Sequence, residues 1–306
     1  MKTKTTIVLV VLLVAMVFTP VFAQGSKESK AKQISICTPY LSSVTTKQMA
    51  DLMKGKLEAK GYNVSIYDSA NDNSKFAADV ETSVISNVDA IIIVSADPKL
   101  IESQIKEAAQ ANIPVFGCDA GYIDEMQMNA TSDNYQMGEM IAKYLFEQMG
   151  KKGNFVHLTH RPHPGVVKRS IAMEDLLPAY PNISLVSEHH VDVPNQINNS
   201  KEIVENVLTT YPQKGSIQAI LCAWDEPAIG ATQALMEAGR DEVLVVGVDG
   251  NEQAIKLIND STNLIATLSQ NFEEMAEIVA NEVAKVLNGE PTSKGDVFAP
   301  ALLVTK

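Results

Sequence analysis

The chain has 306 residues, with 37 acidic side chains against 25 lysines and arginines and a formal net charge of −12. That balance argues against nucleic acid or anionic lipid as a partner, since both would be repelled. Three cysteines, Cys37, Cys118 and Cys222, exclude a fully paired disulfide framework. Each ends an apolar run, which reads as a buried free thiol, although the sequence leaves open whether one pair bridges.

The N-terminus reads as a secretory signal peptide. Lys2 and Lys4 precede an apolar run from Ile7 to Phe18, followed by Pro20 and the small-residue site Val21-Phe22-Ala23. The run is too short to span a bilayer comfortably. Cleavage is expected after Ala23, with residues 1–23 removed and 24–32 forming a polar leader. No cysteine lies near the cleavage site, so no lipid anchor is expected, and no later apolar run reaches membrane-spanning length. The expected location is outside the cytoplasm, with no insertion of the mature chain into the membrane.

From residue 33 the pattern alternates. Residues 33–37 (QISIC) are strand-like, 45–61 have helical spacing with a glycine stop, 62–68 form a strand and 74–87 a helix. A buried strand follows at 89–96, then a helix over 97–112 with Asp97 as cap and Pro98 at its first position, then the strand IPVFGCD at 113–119. After the motif at 130–150 the alternation restarts: strands at 154–160, 183–191, 217–224, 242–249 and 264–270, with helices at 165–180, 198–212, 225–239, 251–260 and 272–289. A tail strand covers 301–306. Wholly apolar strands separated by helices predict parallel sheets covered on both faces, here two doubly wound α/β units in series.

Ligands of open α/β sheets sit at the carboxyl ends of the strands. The residues to inspect are therefore Tyr40, Ser95 to Asp97, Asp119 to Gly121, His160 and Arg161, Trp224 and Asp225, Asp249 and Gly250, and Ser269 and Gln270. Trp224 is the sole tryptophan. Asp225 and Glu226 beside it resemble an acid/base pair, but an acid at the helix start with Pro227 in the first turn is ordinary helix architecture. Asp225 is expected as the cap, with some reach into the cleft. His157, His160 and His163 share no helical face and no cysteine completes a set, so no metal is expected. His160 and Arg161 are instead expected at the cleft rim as ligand donors.

Six motifs in order, ANIPVFGCD, TSDNYQMG, VVKRSIAM, AILCAWDEPAIGATQAL, VLVVGVDG and LIATLSQ, resemble the sugar-binding periplasmic proteins of ABC importers, of the ribose- and galactose-binding type. Lactose-repressor-like ligand domains share the fold, but no N-terminal helix-turn-helix is present and the signal peptide argues against a repressor. The resemblance covers residues 33–306. It implies two similar lobes joined by three crossovers with ligand between them: 33–132 plus 271–299, and 133–270 plus 300–306.

The resemblance also implies site residues. Asp119 and Asp249 would accept hydrogen bonds from sugar hydroxyls. Arg169, in Arg169-Ser170-Ile171-Ala172-Met173, matches the arginine of an Arg-x-x-Gly-Phe pattern and would donate to two oxygens. Gln270 matches a hydroxyl-binding position at a crossover, whereas Ser132, Asp133, Asn134 and Gly138 read as a helix cap. Several positions depart from the pattern. Val44-Thr45-Thr46 stand where ribose binders place a phenylalanine sandwich, Ala120 replaces an arginine, Val248 an aromatic and Trp224 an asparagine. These departures argue against ribose and nominate Tyr40, Tyr122 and Trp224 as apolar walls.

The expected function is capture of a small neutral sugar, sugar alcohol or related compound by a monomer that closes on it and delivers it to a membrane permease. No cofactor is implied. A sensory subunit presenting the same ligand to a chemoreceptor or kinase is the alternative. A glycosidase would need two carboxylates tuned across one bond, no sequence feature raises either pKa, and the family is non-catalytic.

Overall fold

A computed structural model of the chain describes residues 31–306; the expected signal peptide and most of the leader lie outside the described residues. The chain enters through β1 (Gln33–Thr38), α1 (Val44–Ala59), β2 (Asn63–Asp68), α2 (Asn73–Ile85) and β3 (Ala90–Val94). It continues with α3 (Glu102–Gln110), β4 (Val115–Cys118) and β5 (Asn129–Thr131). It then crosses to a second sheet through α4 (Asn134–Gln148), β6 (Gly153–Thr159), α5 (Pro164–Leu176), β7 (Ile183–His190) and α6 (Gln196–Thr210). That part is completed by β8 (Ala219–Cys222), α7 (Asp225–Glu237), β9 (Leu244–Asp249), α8 (Glu252–Asn259) and β10 (Leu264–Gln270). The chain returns for α9 (Phe272–Leu287) and β11 (Asp296–Phe298), and crosses once more to end in β12 (Ala301–Thr305).

The two lobes each hold a six-stranded sheet, ordered β11-β5-β4-β3-β1-β2 and β12-β10-β9-β8-β6-β7. Pairing is parallel throughout except for β12, which runs antiparallel to β10. Helix α9 packs on α1, β4 and β5 in the first lobe, and α4 packs on α5, β9 and β10 in the second.

The strand sequences explain the layering. In β3 every residue is buried: Ile92 and Val94 join one apolar cluster and Ile91 and Ile93 the other, so successive side chains feed opposite faces. In β8, Ile220 and Cys222 face one cluster, Ala219 and Leu221 the other. Each fully buried isoleucine contributes about 1.5–3 kcal/mol of transfer free energy. Such a strand is stable only between two helix layers, so its carboxyl end alone is left to face the other lobe.

Two expectations need correction, and two short strands are additional. The helix expected over 97–112 is two elements: Asp97 caps a 3-10 turn at Pro98–Ile101, accepting from Lys99 N at 3.0 Å, and α3 starts at Glu102. The helix expected to run to Tyr180 stops at Leu176 in a 3-10 turn, Leu177–Ala179, where Pro178 has no N–H to continue the ladder. Strands β5 and β11 were not foreseen, since three residues carry no readable periodicity; they pair with each other from Asp296 opposite Asn129.

Cys37, Cys118 and Cys222 are free and buried, and burial pushes the Cys37 thiol up to about 12. Among the described residues no helix is long and apolar enough to cross a membrane.

Candidate functional site

The carboxyl ends of the two sheets enclose a cavity lined by side chains from both lobes. The first lobe lines it with Tyr40 after β1, Ser43, Thr45 and Thr46 at the start of α1, Ser95 after β3 and Asp119 after β4. From the second lobe come His160 after β6, then His163, Val166 and Arg169 at the start of α5. Val193 after β7, Trp224 after β8 and Asp249 at the end of β9 complete the wall.

The backbone turns sharply where the polar residues emerge. Ser95, Asp119 and Asp249 have φ of 55°, 49° and 128°. Positive φ is costly for side chains other than glycine and collects at functional sites. Gly250, at φ 77°, continues the turn behind Asp249.

Arg169 lies between the two cleft carboxylates and is 3 % exposed. Its Nε donates to Asn134 Oδ1 at 2.7 Å and its Nη1 to the Ala223 carbonyl at 2.8 Å, while Nη1 stands 3.7 Å from Asp249 Oδ1. Asn134 Nδ2 donates to Thr131 Oγ1, which in turn donates to Asp119 Oδ1, both at 3.1 Å. Gln270 Nε2 donates to Asp249 Oδ1 at 2.8 Å. One buried network thus joins Asp119 to Asp249 through Arg169, and it includes residues at two of the passages between lobes. Close packing of α4 on α5 makes this possible: a Cβ on Gly138 would lie 2.5 Å from the Arg169 carbonyl oxygen.

Burial pushes both carboxyls upward, Asp249 strongly, and the Arg169 guanidinium opposes the shift at each. Nothing in the sequence pointed to raised carboxyls here; the desolvation comes from the fold.

The histidines have separate roles fixed by their partners. His157 is mid-strand, with Nδ1 donating to Leu221 O at 3.0 Å and Nε2 2.9 Å from Ser170 Oγ, so it is a core residue. His160 Nδ1 donates to Val191 O at 3.0 Å, which leaves Nε2 to accept from the Tyr40 hydroxyl at 3.3 Å. His163 caps α5: its Nδ1 accepts from Gly165 N and Val166 N at 3.1 and 3.3 Å. Its Nε2–H therefore faces Asp119 Oδ2, 3.8 Å away. Burial, reinforced by Arg169, pushes His163 down to about 3, and burial also lowers His157 and His160. Among the described residues no group of three or more side chains is arranged to hold a metal ion.

Of the nine expected site residues, six line the cavity: Tyr40, Asp119, His160, Arg169, Trp224 and Asp249. The other three do not. Gln270 sits behind the wall and holds Asp249. Asp225 is neither the helix cap nor a cleft residue. Trp224 occupies the cap position, and the Asp225 carboxylate accepts from Thr267 Oγ1 at 2.7 Å and Asn251 N at 2.8 Å under the floor of the site. Its burial raises its carboxyl to about 6. Arg161 points outward, donating from Nε and Nη2 to Glu188 at 2.7 Å and pairing with Glu174. Tyr122 packs in the outer cluster of the first lobe rather than on the cavity.

Sequence reasoning missed Ser43, Val166 and Val193 as wall residues, marked Thr45 and Thr46 only as the place of an absent phenylalanine sandwich, and treated His163 only as part of a loop. Glu226 was read as a first-turn helix acid. It reaches across to the first lobe, where Ser43 Oγ donates to its Oε2 at 2.8 Å and Val44 N to its Oε1 at 3.3 Å. Gln196 Nε2 also donates to Oε1, at 2.7 Å.

Comparison with known proteins agrees with this architecture. The chain is 29% identical over 292 residues to the ribose import binding protein RbsB of Bacillus subtilis (strain 168), covering 94% of this chain and 92% of that protein. A solved ABC transporter solute binding protein from Agrobacterium vitis with bound allitol superposes with a TM-score of 0.83 at 28% identity, over 90% of this chain and 96% of that one. An ABC sugar transporter subunit from Rhodobacter sphaeroides 2.4.1 gives a TM-score of 0.85 at 28% identity, over 90% and 98%. The model of the periplasmic binding protein domain matches residues 34–291, and the chain belongs to that family.

Proposed function

We propose that this protein is the extracytoplasmic solute-binding subunit of an ABC importer, and that it captures a small neutral polyhydroxylated compound between its lobes. The observation that carries the reading is the buried set Asp119, Arg169 and Asp249 on the cavity wall. Two carboxylates accept from ligand hydroxyls and one guanidinium donates to ligand oxygens, the complement a sugar or polyol presents. A strongly anionic ligand would meet both carboxylates. The relatives named for ribose import and the neighbour holding allitol support the same class.

In this reading the chain passages at residues 132–133, 270–271 and 299–300 act as the hinge, and closure hides the ligand and forms the face a permease reads. The protein acts by binding alone, as one exported subunit. A calorimetric and thermal-shift screen of the mature chain against pentoses, hexoses, polyols and inositols tests it. A bound compound at a hundred times its dissociation constant adds about 2.7 kcal/mol, and silence across the whole panel sinks the reading.

A further inference from the structure

The cavity wall divides into two patches of different chemistry. The first is the charged set just described, joined by Thr45, whose hydroxyl donates to Asp249 Oδ2 at 3.3 Å, and by Thr46, which donates to Ser95 at 3.0 Å. The second is built on Trp224, which is 7 % exposed and shares an apolar cluster with Val166 and Val193. Its polar neighbours are already engaged. His160 stands edge-on to the indole at 6.2 Å and uses both ring nitrogens, one on Val191 O and the other on the Tyr40 hydroxyl. The second patch therefore offers ring faces and methyl groups, with an indole N–H and a spare tyrosine lone pair as its remaining polar capacity. A ligand hydroxyl set against the valines would lose water without a protein partner.

We infer that the compound bound here is hydroxylated at one end and apolar at the other, ending in a deoxy carbon or a thioalkyl group, and that Trp224, Val166 and Val193 select that terminus. The inference rests on the polyhydroxylated-ligand reading above and narrows it. Carboxylates and guanidinium hold the hydroxylated end, and the valines and indole cover the terminal methyl. An apolar pocket discriminates against an added hydroxyl by up to about 10²-fold, so the expected preference is about 10- to 100-fold.

The test is calorimetric titration of the mature chain with matched pairs: D-ribose against 5-deoxy-D-ribose and 5-methylthio-D-ribose, L-galactose against L-fucose, and L-mannose against L-rhamnose. At least one apolar-ended member is expected to bind 10-fold or more tighter than its hydroxylated partner. Val193→Thr and Val166→Thr keep side-chain size and add a hydroxyl, and at least one should move that ratio about 10-fold toward the hydroxylated member. Two separate valines keep the test decisive if one variant folds poorly. Equal or tighter binding of the hydroxylated member in every pair that binds overturns the inference while leaving the polyol reading intact. So does an unchanged ratio in both variants. Absence of binding by every member of every pair and by the wider polyol panel overturns both.

Discussion

The two lobes meet the cavity with side chains that are held in place differently. On the second lobe, the key polar groups are fixed by their own surroundings: Arg169 by Asn134 and the Ala223 carbonyl, Asp249 by Gln270, His160 by the Val191 carbonyl. On the first lobe, Asp119 has Thr131 and Thr46 has Ser95, but the first turn of α1 finds its partners across the cleft. Ser43 occupies the cap position of α1 and makes no cap bond to that helix. Its hydroxyl goes to Glu226 of the other lobe, and Thr45 reaches Asp249. Glu226 thus serves the N-terminus of α1 as a cap carboxylate would, from a separate lobe. Groups already held in place cost a ligand little ordering entropy, whereas groups completed by closure add to affinity through the closed state alone. In the proposed closure the second lobe is the preformed half of the site and the start of α1 its closing half.

The largest effect expected from breaking this arrangement is at Arg169. Arg169→Met leaves Asp119 and Asp249 buried without their guanidinium. Removing one partner of a buried ion pair costs about 3–5 kcal/mol, and binding of any hydroxylated probe should be lost. The sign of the pH response follows. Both carboxyls already lie above their ordinary range, and without Arg169 they rise further. An acid whose folded pKa exceeds its unfolded value loses stability as pH rises between the two, so the deficit should be smaller at pH 5 than at pH 8. Urea unfolding at both pH values checks this; a deficit below about 1 kcal/mol at pH 8 means Arg169 is not the keystone of a preformed half.

Glu226→Gln sharpens the contrast, because it acts on closure rather than on the preformed wall. It replaces charge-assisted bonds across the cleft with neutral ones. About 1–2 kcal/mol of closed-state stability is expected to go, which weakens the affinity for a confirmed probe about tenfold. The ratio between competing ligands should stay constant, and the ligand-free unfolding midpoint should move little. Gln270→Ala, on the preformed half, should lower both. If Glu226→Gln costs as much stability as affinity, it is a packing residue of α7 and not a closing contact.

How much of this was legible depended on how local each signal is. Strands β3, β8 and β9 announce themselves through unbroken apolar runs, and two parallel sheets follow from them. Asp119, Trp224 and Asp249 could be placed because they end such strands, where the fold must expose them. Thr45 and Thr46 open a helix, where no strand end marks them; only the resemblance pointed there, to the place of an absent phenylalanine sandwich, and their partners Asp249 and Ser95 come from distant parts of the chain. Val193 belongs to a loop with no periodicity at all. Asp225 was misassigned for the opposite reason. Its sequence context fits a helix cap, but Trp224 takes that position and the carboxylate turns under the floor to Thr267 and Asn251.

The acid limb of stability tests whether His163 belongs to the preformed half. Its folded pKa is about 3 against an ordinary value of 6.5. Below pH 6.5 the unfolded chain takes up a proton that the folded chain excludes, so stability falls as pH drops, by up to about 1.4 kcal/mol per unit. Asp225, raised to about 6, acts oppositely over its own window, losing stability as pH rises from about 4 to 6. The wild-type curve alone therefore does not isolate His163, but a difference curve does. His163→Asn keeps a cap acceptor for Gly165 N and Val166 N and removes the titration. The stability difference between variant and wild type should grow in the variant's favour on acidification from pH 6.5 to 4; a flat difference means the imidazole is protonated in the folded chain.

The smallest effect is expected at Arg161, and it checks the geometry most directly. His160 and Arg161 are adjacent, yet one lines the cavity and the other leaves it, since the chain turns at Arg161-Pro162, where His163 N donates to His160 O at 3.1 Å. Arg161 pairs with Glu188 and Glu174 while its side chain stays 36% exposed. Exposed pairs of this kind contribute about 0–1 kcal/mol. Arg161→Ala should therefore lower the unfolding free energy by no more than that and leave the affinity of every probe unchanged. His160→Phe removes the acceptor that holds the Tyr40 hydroxyl across the cleft and should weaken binding severalfold, because Tyr40 is then free to turn away from the wall. Equal losses in the two variants would place both side chains on the cavity and contradict the division between a preformed wall and an outer surface.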